Sequence, residues 1–464
     1  MNFTVSDLLS APHVRAIGFE SLTERTRFSS VSTDSRQCGK GDLFIALRGE
    51  TFDGHDFLAQ IAKQGAAAAV VDAKWYRTHA RKTPRKLPLL VVRDTLTAYG
   101  DLAQIYRNKF SIPILLVAGS NGKTTTKDVT SYVLGTSFTL LKTEANYNNH
   151  VGLPRMLFLL TPKHKLAVLE IGTNHPGEIA RLTEIAMPTH GIITNIGREH
   201  LEFFKNLAGV AKEETALFRA LDAAGGTAFV NLDDKYLAPS TKRFGKRAVT
   251  FATKGKAQVT ARDRGFATNG KRLVDLTIGK QTIKLKTNIV AEYAPSLIAS
   301  VASVAKEFGI PNAKIKSRIE SYKPHSKRME MITLPNGVLV INDCYNANPE
   351  SFAAALETLK RIPAKGKKYV VAGDMFELGD TSTSEHTKLG AFIGTYRFDG
   401  HYFTGKAMKH AFAALLKKRK SATATYSDSK AGIAEDLRSL LKRGDVILLK
   451  GSRGMKMEDV LAKL

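Results

Sequence analysis

The stretch from Ile112 to Thr126, IPILLVAGSNGKTTT, constrains the fold more than any other part of the chain. Ile114 to Ala118 form a short continuous apolar run, the pattern of a strand buried in a parallel sheet. Gly119-Ser120-Asn121-Gly122 follow as a turn, and Lys123-Thr124-Thr125 open a segment where Val129, Tyr132 and Val133 recur at helical spacing. Strand, glycine turn and helix start in direct succession make a phosphate cradle. The glycines let backbone N–H groups converge on phosphate oxygens, and the helix N-terminus adds partial positive charge. Lys123 is placed to reach outer phosphates and the Thr124 hydroxyl to ligate Mg²⁺. The spacing G-x-x-x-x-G-K-[ST] is not met, because Val117 stands at its first glycine; the match is to the shorter G-x-x-G-K-T form.

A length of 464 residues fits roughly three domains. No apolar run near the N-terminus resembles a signal peptide and no stretch is long enough to cross a bilayer, so no membrane span is expected. Cys38 and Cys344 lie far apart and form no metal or disulfide pattern, which fits a reducing cytoplasm. The formal net charge of +26 points toward nucleic acid. Against that, the basic residues are spread out, apart from clusters such as Arg77 to Lys86 and Lys417 to Lys420, and no nucleic-acid-binding motif accompanies them. A solvated basic surface that favours polyanionic small substrates is the preferred reading, with no nucleic-acid partner.

Residues 1–110 read as a small α/β domain, with strands at Gly41–Leu47 (after a polar lead-in), Ala67–Val71 and Leu89–Val92 and a helix from about Thr95 to Lys109. Asp34-Ser35-Arg36 offers hydroxyl and guanidinium donors to a phosphate or uracil edge, though such a triplet also suits a turn. Residues 111–322 alternate strands and helices, with strands at Leu166–Ile171, Gly191–Ile196 and Thr227–Val230, and helical spacing over 288–308. That alternation implies a mainly parallel sheet with helices on both faces, whose ligands gather beyond the C-terminal strand ends. Glu170 and His200 lie at or just past such ends; Glu170 suits Mg²⁺, but either residue also reads as structural. The amide-rich tract Glu144–Asn149 suits a polar ligand or a solvated loop. Residues 323–464 restart the alternation as a third, Rossmann-like domain without a G-x-G-x-x-G fingerprint, so no redox dinucleotide is expected.

Taken together, the motifs resemble those of the Mur ligases over nearly the whole chain. They are DSR with GDLFIALRGE and DGH, then GSNGKTTTK, EANYNN, LEIGTNHPGEI and NIGREHLEFF, and finally DCYNANPES, AGDMFELG and LLKGSRGMKME. The tract YNANP marks the branch that adds a dipeptide; the preceding ligase of the pathway typically reads DYAHTPD there and carries DNPR later, and neither occurs here. The resemblance implies an ATP-dependent ligase that adds D-alanyl-D-alanine to UDP-N-acetylmuramoyl-tripeptide through an acyl phosphate, working as a cytoplasmic monomer with ATP and Mg²⁺.

Residue by residue, the resemblance implies that Ser35 and Arg36 hold the uridine end, and that Gly119, Ser120, Asn121, Gly122, Lys123, Thr124 and Thr125 hold ATP phosphates. Thr124, Glu170 and His200 would serve magnesium, Asn148 and Asn149 the muramoyl-peptide, and Asn195 the adenine. Arg328, Asp343, Tyr345, Asn346, Ser452 and Arg453 would meet the nucleotide and the incoming dipeptide. Many members carboxylate a lysine after the histidine motif, in text close to GVAKAKGEIF. This chain reads GVAKEETALF from Gly209 to Phe218, so an ungapped match puts Glu214 on that lysine, with Lys212 the alternative if the register slips. A second departure is the adenine-side motif, usually near G-x-H-N, where this chain reads Asn288-Ile289-Val290-Ala291-Glu292-Tyr293. Competing readings are a different Mur-type or folate-type amide ligase, a nucleic-acid-stimulated P-loop ATPase, and a non-catalytic nucleotide-binding scaffold.

Overall fold

A computed structural model of the protein describes residues 1–324 and 327–464. Its contacts divide the chain into two compact units, Met1–Thr250 and Phe251–Leu464. The first unit begins with a five-stranded sheet made of β1 (Arg15–Ile17), β2 (Val31–Ser32), β3 (Leu43–Ile45), β4 (Ala68–Asp72) and β5 (Leu89–Val92), in the order β1-β5-β4-β3-β2. All neighbours run parallel except β1, which is antiparallel to β5. The runs LFI, AAVVD and LLVV are buried at every position, as parallel strands covered on both faces require. The DGH tract is structural: His55 Nδ1 bonds Asp53 Oδ1 at 2.5 Å, and its Nε2 accepts the Asp72 amide at 2.9 Å.

Five further parallel strands of this unit are β6 (Ile114–Ala118), β7 (Leu140–Lys142), β8 (Leu166–Glu170), β9 (His190–Ile193) and β10 (Thr227–Asn231), in the order β10-β9-β6-β8-β7. β6 is fully buried and lies between β8 and β9, so the chain runs to opposite sides of it after successive crossovers. Loops leaving the C-terminal ends of β6, β8 and β9 therefore meet in one crevice. That topology brings Gly119–Lys123, Glu170 and the 194–200 segment together.

In the second unit, Phe251 and Ala252, the last two residues of β11 (Ala248–Ala252), pair parallel with β12 (Val259–Phe266). β12 then forms an antiparallel meander with β13 (Arg272–Ile278) and β14 (Gln281–Thr287). The sequence reading did not anticipate these three strands. The period-2 burial of β13 and the Gly279 turn at φ +59° fit such a hairpin. The helix expected over 288–308 begins later, at Ala294, where Pro295 suits the first turn. The last sheet contains β15 (Glu330–Thr333), β16 (Leu339–Asp343), β17 (Lys368–Gly373), β18 (Gly400–Thr404), β19 (Ala424–Tyr426) and β20 (Val446–Lys450), in the order β15-β16-β20-β17-β18-β19. It is parallel apart from β15, the pattern of a Rossmann-like domain with one antiparallel edge.

Within this unit an ionic cluster ties the meander to the Pro349–Arg361 helix. The fully buried Arg272 bonds both oxygens of Asp263 at 2.9 Å and the carbonyls of Val290 and Ala291 at 2.8 Å. Arg361 bonds Asp263 as well, and reaches Glu292 at 2.8 and 3.0 Å.

Candidate active site

The cradle is held from beneath by the segment that follows β9. Asn195 accepts from the Ser120 amide through its carbonyl at 2.9 Å and from the Asn121 amide through Oδ1 at 3.2 Å, while its Nδ2 donates to Asn121 O at 2.8 Å. Thr194 Oγ1 donates to the same carbonyl at 2.7 Å, and the Gly197 amide donates to Ser120 Oγ at 2.8 Å. Gly119 has φ +111°, and a Cβ there would stand 2.4 Å from Thr194 Oγ1. Gly122 has φ +82° with nothing within 4 Å of its would-be Cβ, so the space above the turn is open. The Lys123–Leu134 helix starts there without a side-chain cap, leaving its first N–H groups for an anion.

Around this turn the structure gathers one lysine and three acids. Lys123 Nζ donates to Gly119 O at 2.5 Å and lies 3.5 Å from Glu199 Oε2. Glu170, the last residue of β8, accepts through Oε1 from Thr124 Oγ1 at 3.2 Å and from Asn148 Nδ2 at 3.0 Å. Its backbone amide is fixed on Thr143 Oγ1 at 2.8 Å. Glu214, fully buried on the Leu207–Glu214 helix, accepts the Gly119 amide through Oε2 at 2.8 Å. Among the described residues, Glu170 Oε2, Glu199 Oε1 and Glu214 Oε1 are each buried with no amine, amide or hydroxyl donor, and the Glu199 and Glu214 carboxyls bond each other by sharing a proton. An unsatisfied buried acceptor costs about 1–3 kcal/mol, so a crevice lined by these oxygens is a place suited to a cation.

Electrostatics agree with the geometry. Burial, opposed by Lys123 and reinforced by Glu199, pushes the Glu214 carboxyl up to about 8. For Lys123, burial works against the charge, but Glu199, Glu214 and Glu170 outweigh it and hold the ammonium above its ordinary value. Among the described residues, no group of three or more His, Cys, Asp and Glu side chains is arranged to hold a metal ion by itself. A magnesium site of the usual kind uses one or two carboxylates together with water and phosphate oxygens, and the donors here match that sparser demand.

Other residues singled out in the sequence take varied places. His200 is half-buried with φ +44°, and its ring meets Phe204 edge-on. Asn149 Oδ1 accepts the amides of Val151 and Gly152 and so starts the Gly152–Leu157 helix. Thr125 is buried in the first turn of its helix. Ser35 is buried, whereas the Arg36 side chain is exposed and clasped by Asp34 through Nε at 2.9 Å and Nη2 at 2.8 Å. Those bonds hold the Asp34 carboxyl down at about 2. Lys212 is exposed, and Glu213 caps the Glu178–Ala186 helix through the Gly177 and Ile179 amides. Glu199 and Thr143 were not selected from the sequence. Glu199 sits in the NIGREH tract beyond β9, as Glu170 ends β8, so the same strand-end argument would have reached it.

In the second unit, the C-terminal ends of β16 and β20 gather the remaining candidates. Lys450 Nζ bonds Asp343 Oδ2 at 2.5 Å and Asn346 O at 3.1 Å. The Arg328 guanidinium lies 3.7 Å from the Tyr345 ring centre, and that of Arg453 lies 6.0 Å from it. Ser452 Oγ accepts the Phe376 amide at 2.8 Å. Among the described residues, Arg328 Nε is buried without a partner.

A phosphate cradle ringed by acids in one α/β unit, followed by a Rossmann-like sheet with its own polar cluster, defines a nucleotide-dependent ligase architecture. The chain belongs to the Mur ligase family: it matches the Mur ligase family catalytic domain over residues 27–107, the Mur ligase middle domain over 117–303 and the Mur ligase glutamate ligase domain over 327–453. The UDP-N-acetylmuramoyl-tripeptide–D-alanyl-D-alanine ligase of Bacillus subtilis (strain 168) is 32% identical over 95% of this chain and 94% of that protein. The ligase of the same name from Haemophilus influenzae is 31% identical over 95% and 94%. Among solved structures, MurF from Acinetobacter baumannii superposes with a TM-score of 0.84 at 28% identity, covering 100% of this chain and 98% of that one. MurF from Thermotoga maritima in complex with ADP gives 0.81 at 28% identity, covering 94% and 97%.

Proposed function

We propose that the protein is an ATP-dependent ligase that joins D-alanyl-D-alanine to UDP-N-acetylmuramoyl-tripeptide in peptidoglycan precursor synthesis. The observation that carries this reading is the Lys123 cradle with the buried carboxyls of Glu170, Glu199 and Glu214 around it. The names of the Bacillus and Haemophilus relatives and the ADP complex of the Thermotoga structure support it. A free carboxylate is a poor acyl donor. Transfer of the γ-phosphoryl group to the tripeptide carboxylate gives an acyl phosphate; the dipeptide amine then adds to the acyl carbon, the C–O bond to phosphate breaks, and the amine proton leaves. Such chemistry rests on positioning and charge neutralisation.

In this reading residues 1–110 hold the uridine end through Ser35 and Arg36, 111–322 hold ATP, and 323–464 receive the dipeptide. Lys123 and the Gly119–Thr125 amides and hydroxyls take the phosphates, Asn195 faces the adenine, and Asn148 and Asn149 face the muramoyl-peptide. Arg328, Asp343 and Asn346 serve the nucleotide, and Tyr345, Ser452 and Arg453 the dipeptide. Magnesium fits the oxygen donors Thr124 and Glu170, with His200 a further ligand; when bound, it supplies charge neutralisation at the phosphoryl oxygens. Glu214 acts as a built-in carboxylate where the resemblance expects a carboxylated lysine. Its burial against the Gly119 amide, beside an exposed Lys212, favours it over the lysine. The two buried, unpaired cysteines suit the cytoplasm, and a monomer suffices for the chemistry.

The test is phosphate release with ATP and magnesium, adding UDP-N-acetylmuramoyl-tripeptide and D-alanyl-D-alanine separately and together. Release only with both, and a product heavier by the dipeptide, is expected; stimulation by DNA or by a single amino acid instead overturns the reading. Lys123→Ala is expected to lower the rate at least about 100-fold. Activity should be independent of bicarbonate and lost in Glu214→Ala; rescue of that variant by CO₂, or no loss, removes the role given to Glu214.

A further inference from the structure

The meander of the second unit packs its β12 and β13 strands against the Ala294–Glu307 helix and turns its other face outward. Alternation places Arg262 and Arg264 of β12, Asp275 and Thr277 of β13 and Thr282 of β14 on that outer face. Register sets Arg262 beside Asp275, and aligns Thr260, Thr277 and Thr282 as a row of hydroxyls across three strands. With Lys256 from the preceding loop, these residues line a concavity of about 500 Å³. Arg264 is paired to Asp275 at 2.7 Å, which leaves Lys256 and Arg262 exposed and, among the described residues, without a carboxylate partner.

We propose that this basin is a second anion site, separate from the Lys123 cradle, that takes a compact oligophosphate chain. Ammonium, guanidinium and hydroxyl donors converging on one hollow match phosphate oxygens. The volume is that of a small-molecule site. Among the described residues no aromatic ring lines the hollow, so a nucleobase has nothing to stack on, which disfavours single-stranded nucleic acid. The surface is concave, and among the described residues Ala257 is its one hydrophobic lining residue, so it offers no wedge for a flat anionic bilayer.

Calorimetric titration of the full chain with sodium tripolyphosphate tests the site, using the wild type, Lys123→Ala to disable the cradle, and a Lys256→Ser/Arg262→Ser variant. Both serines replace exposed side chains, so folding and phosphate release with the ligase substrates should be unchanged. Binding is expected to persist in Lys123→Ala and to weaken at least about tenfold in the double variant. Tripolyphosphate should also shift the backbone amide signals of residues 255–264. Loss of all binding in Lys123→Ala, or equal binding by the double variant, overturns the proposal. So does binding of single-stranded DNA or phosphatidylserine vesicles that depends on Lys256 and Arg262 when tripolyphosphate shows none.

Discussion

Burial withholds water from the Glu214 carboxyl and the neighbouring Glu199 adds repulsion, while Lys123 and the Gly119 amide offset only part of both. The folded group therefore titrates near 8 against an ordinary value of 4.5, and the sign of its effect on stability follows. Below pH 4.5 both folded and unfolded chains hold the proton and the contribution is fully present. As pH rises toward 8 the unfolded chain releases a proton that the folded one keeps, so stability falls. Glu214→Gln, which keeps an acceptor for Gly119, should flatten this slope and stabilise the ligand-free protein at pH 8 by about 4 kcal/mol; thermal unfolding across pH 5–8 measures it. His55 works in the opposite direction, because burial outweighs Asp53 and lowers its pKa, so its contribution is lost as pH falls below 6.5. The difference between wild type and variant isolates Glu214. An ungapped motif match lands on Glu214, and the structure sets that carboxyl against the Gly119 amide of the cradle. Glu199 is within reach of the strand-end argument that picks out Glu170, but a lone acid in a loop reads as a surface group until Lys123 is seen to lie beside it. Asn195, read as facing the adenine, also bonds the N–H and the C=O of Asn121 through its side-chain amide, a local role that sequence alone does not weigh.

Strands and helices carry the next level of explanation, and here legibility followed apolar runs. β6, β8 and β10 were readable because parallel strands buried on both faces are apolar text. The meander β12–β14 is half exposed, and its Lys, Arg and Thr residues on alternate positions dilute that signal. What fastens it is also hard to read: Arg272, at the start of β13, is a fully buried arginine satisfied, among the described residues, by Asp263, Glu292 and two carbonyls distant in sequence. Asp263→Ala strands that guanidinium without its main carboxylate and should cost about 3–5 kcal/mol. Arg361→Ala removes a partner whose side chain is 31% exposed and should cost only about 1 kcal/mol. Urea denaturation of both variants checks the ratio; equal losses would mean that Arg272 draws little from Asp263.

At the scale of the whole molecule, charge is the property that no single element explains. Among the described residues no helix is long and apolar enough to cross a membrane, while the net charge stands at +26. A surplus of this size creates a positive field that draws anions and falls off within about 8–10 Å at moderate salt. The two substrates of the proposed reaction respond differently to such a field. UDP-N-acetylmuramoyl-tripeptide carries a diphosphate and peptide carboxylates, whereas D-alanyl-D-alanine is a zwitterion with no net charge. Electrostatic steering acts on encounter, so it enters kcat/KM and leaves a rate-limiting chemical step alone. Raising salt from about 20 to about 300 mM should therefore lower kcat/KM for the uridine substrate about tenfold. The same change should leave kcat/KM for the dipeptide and kcat itself nearly constant. The dipeptide serves as the internal control, because general salt inhibition would lower both values together. Equal slopes for the two substrates would show that the positive surplus does not steer the substrate, and its cause would then have to be sought at a local site such as the meander basin.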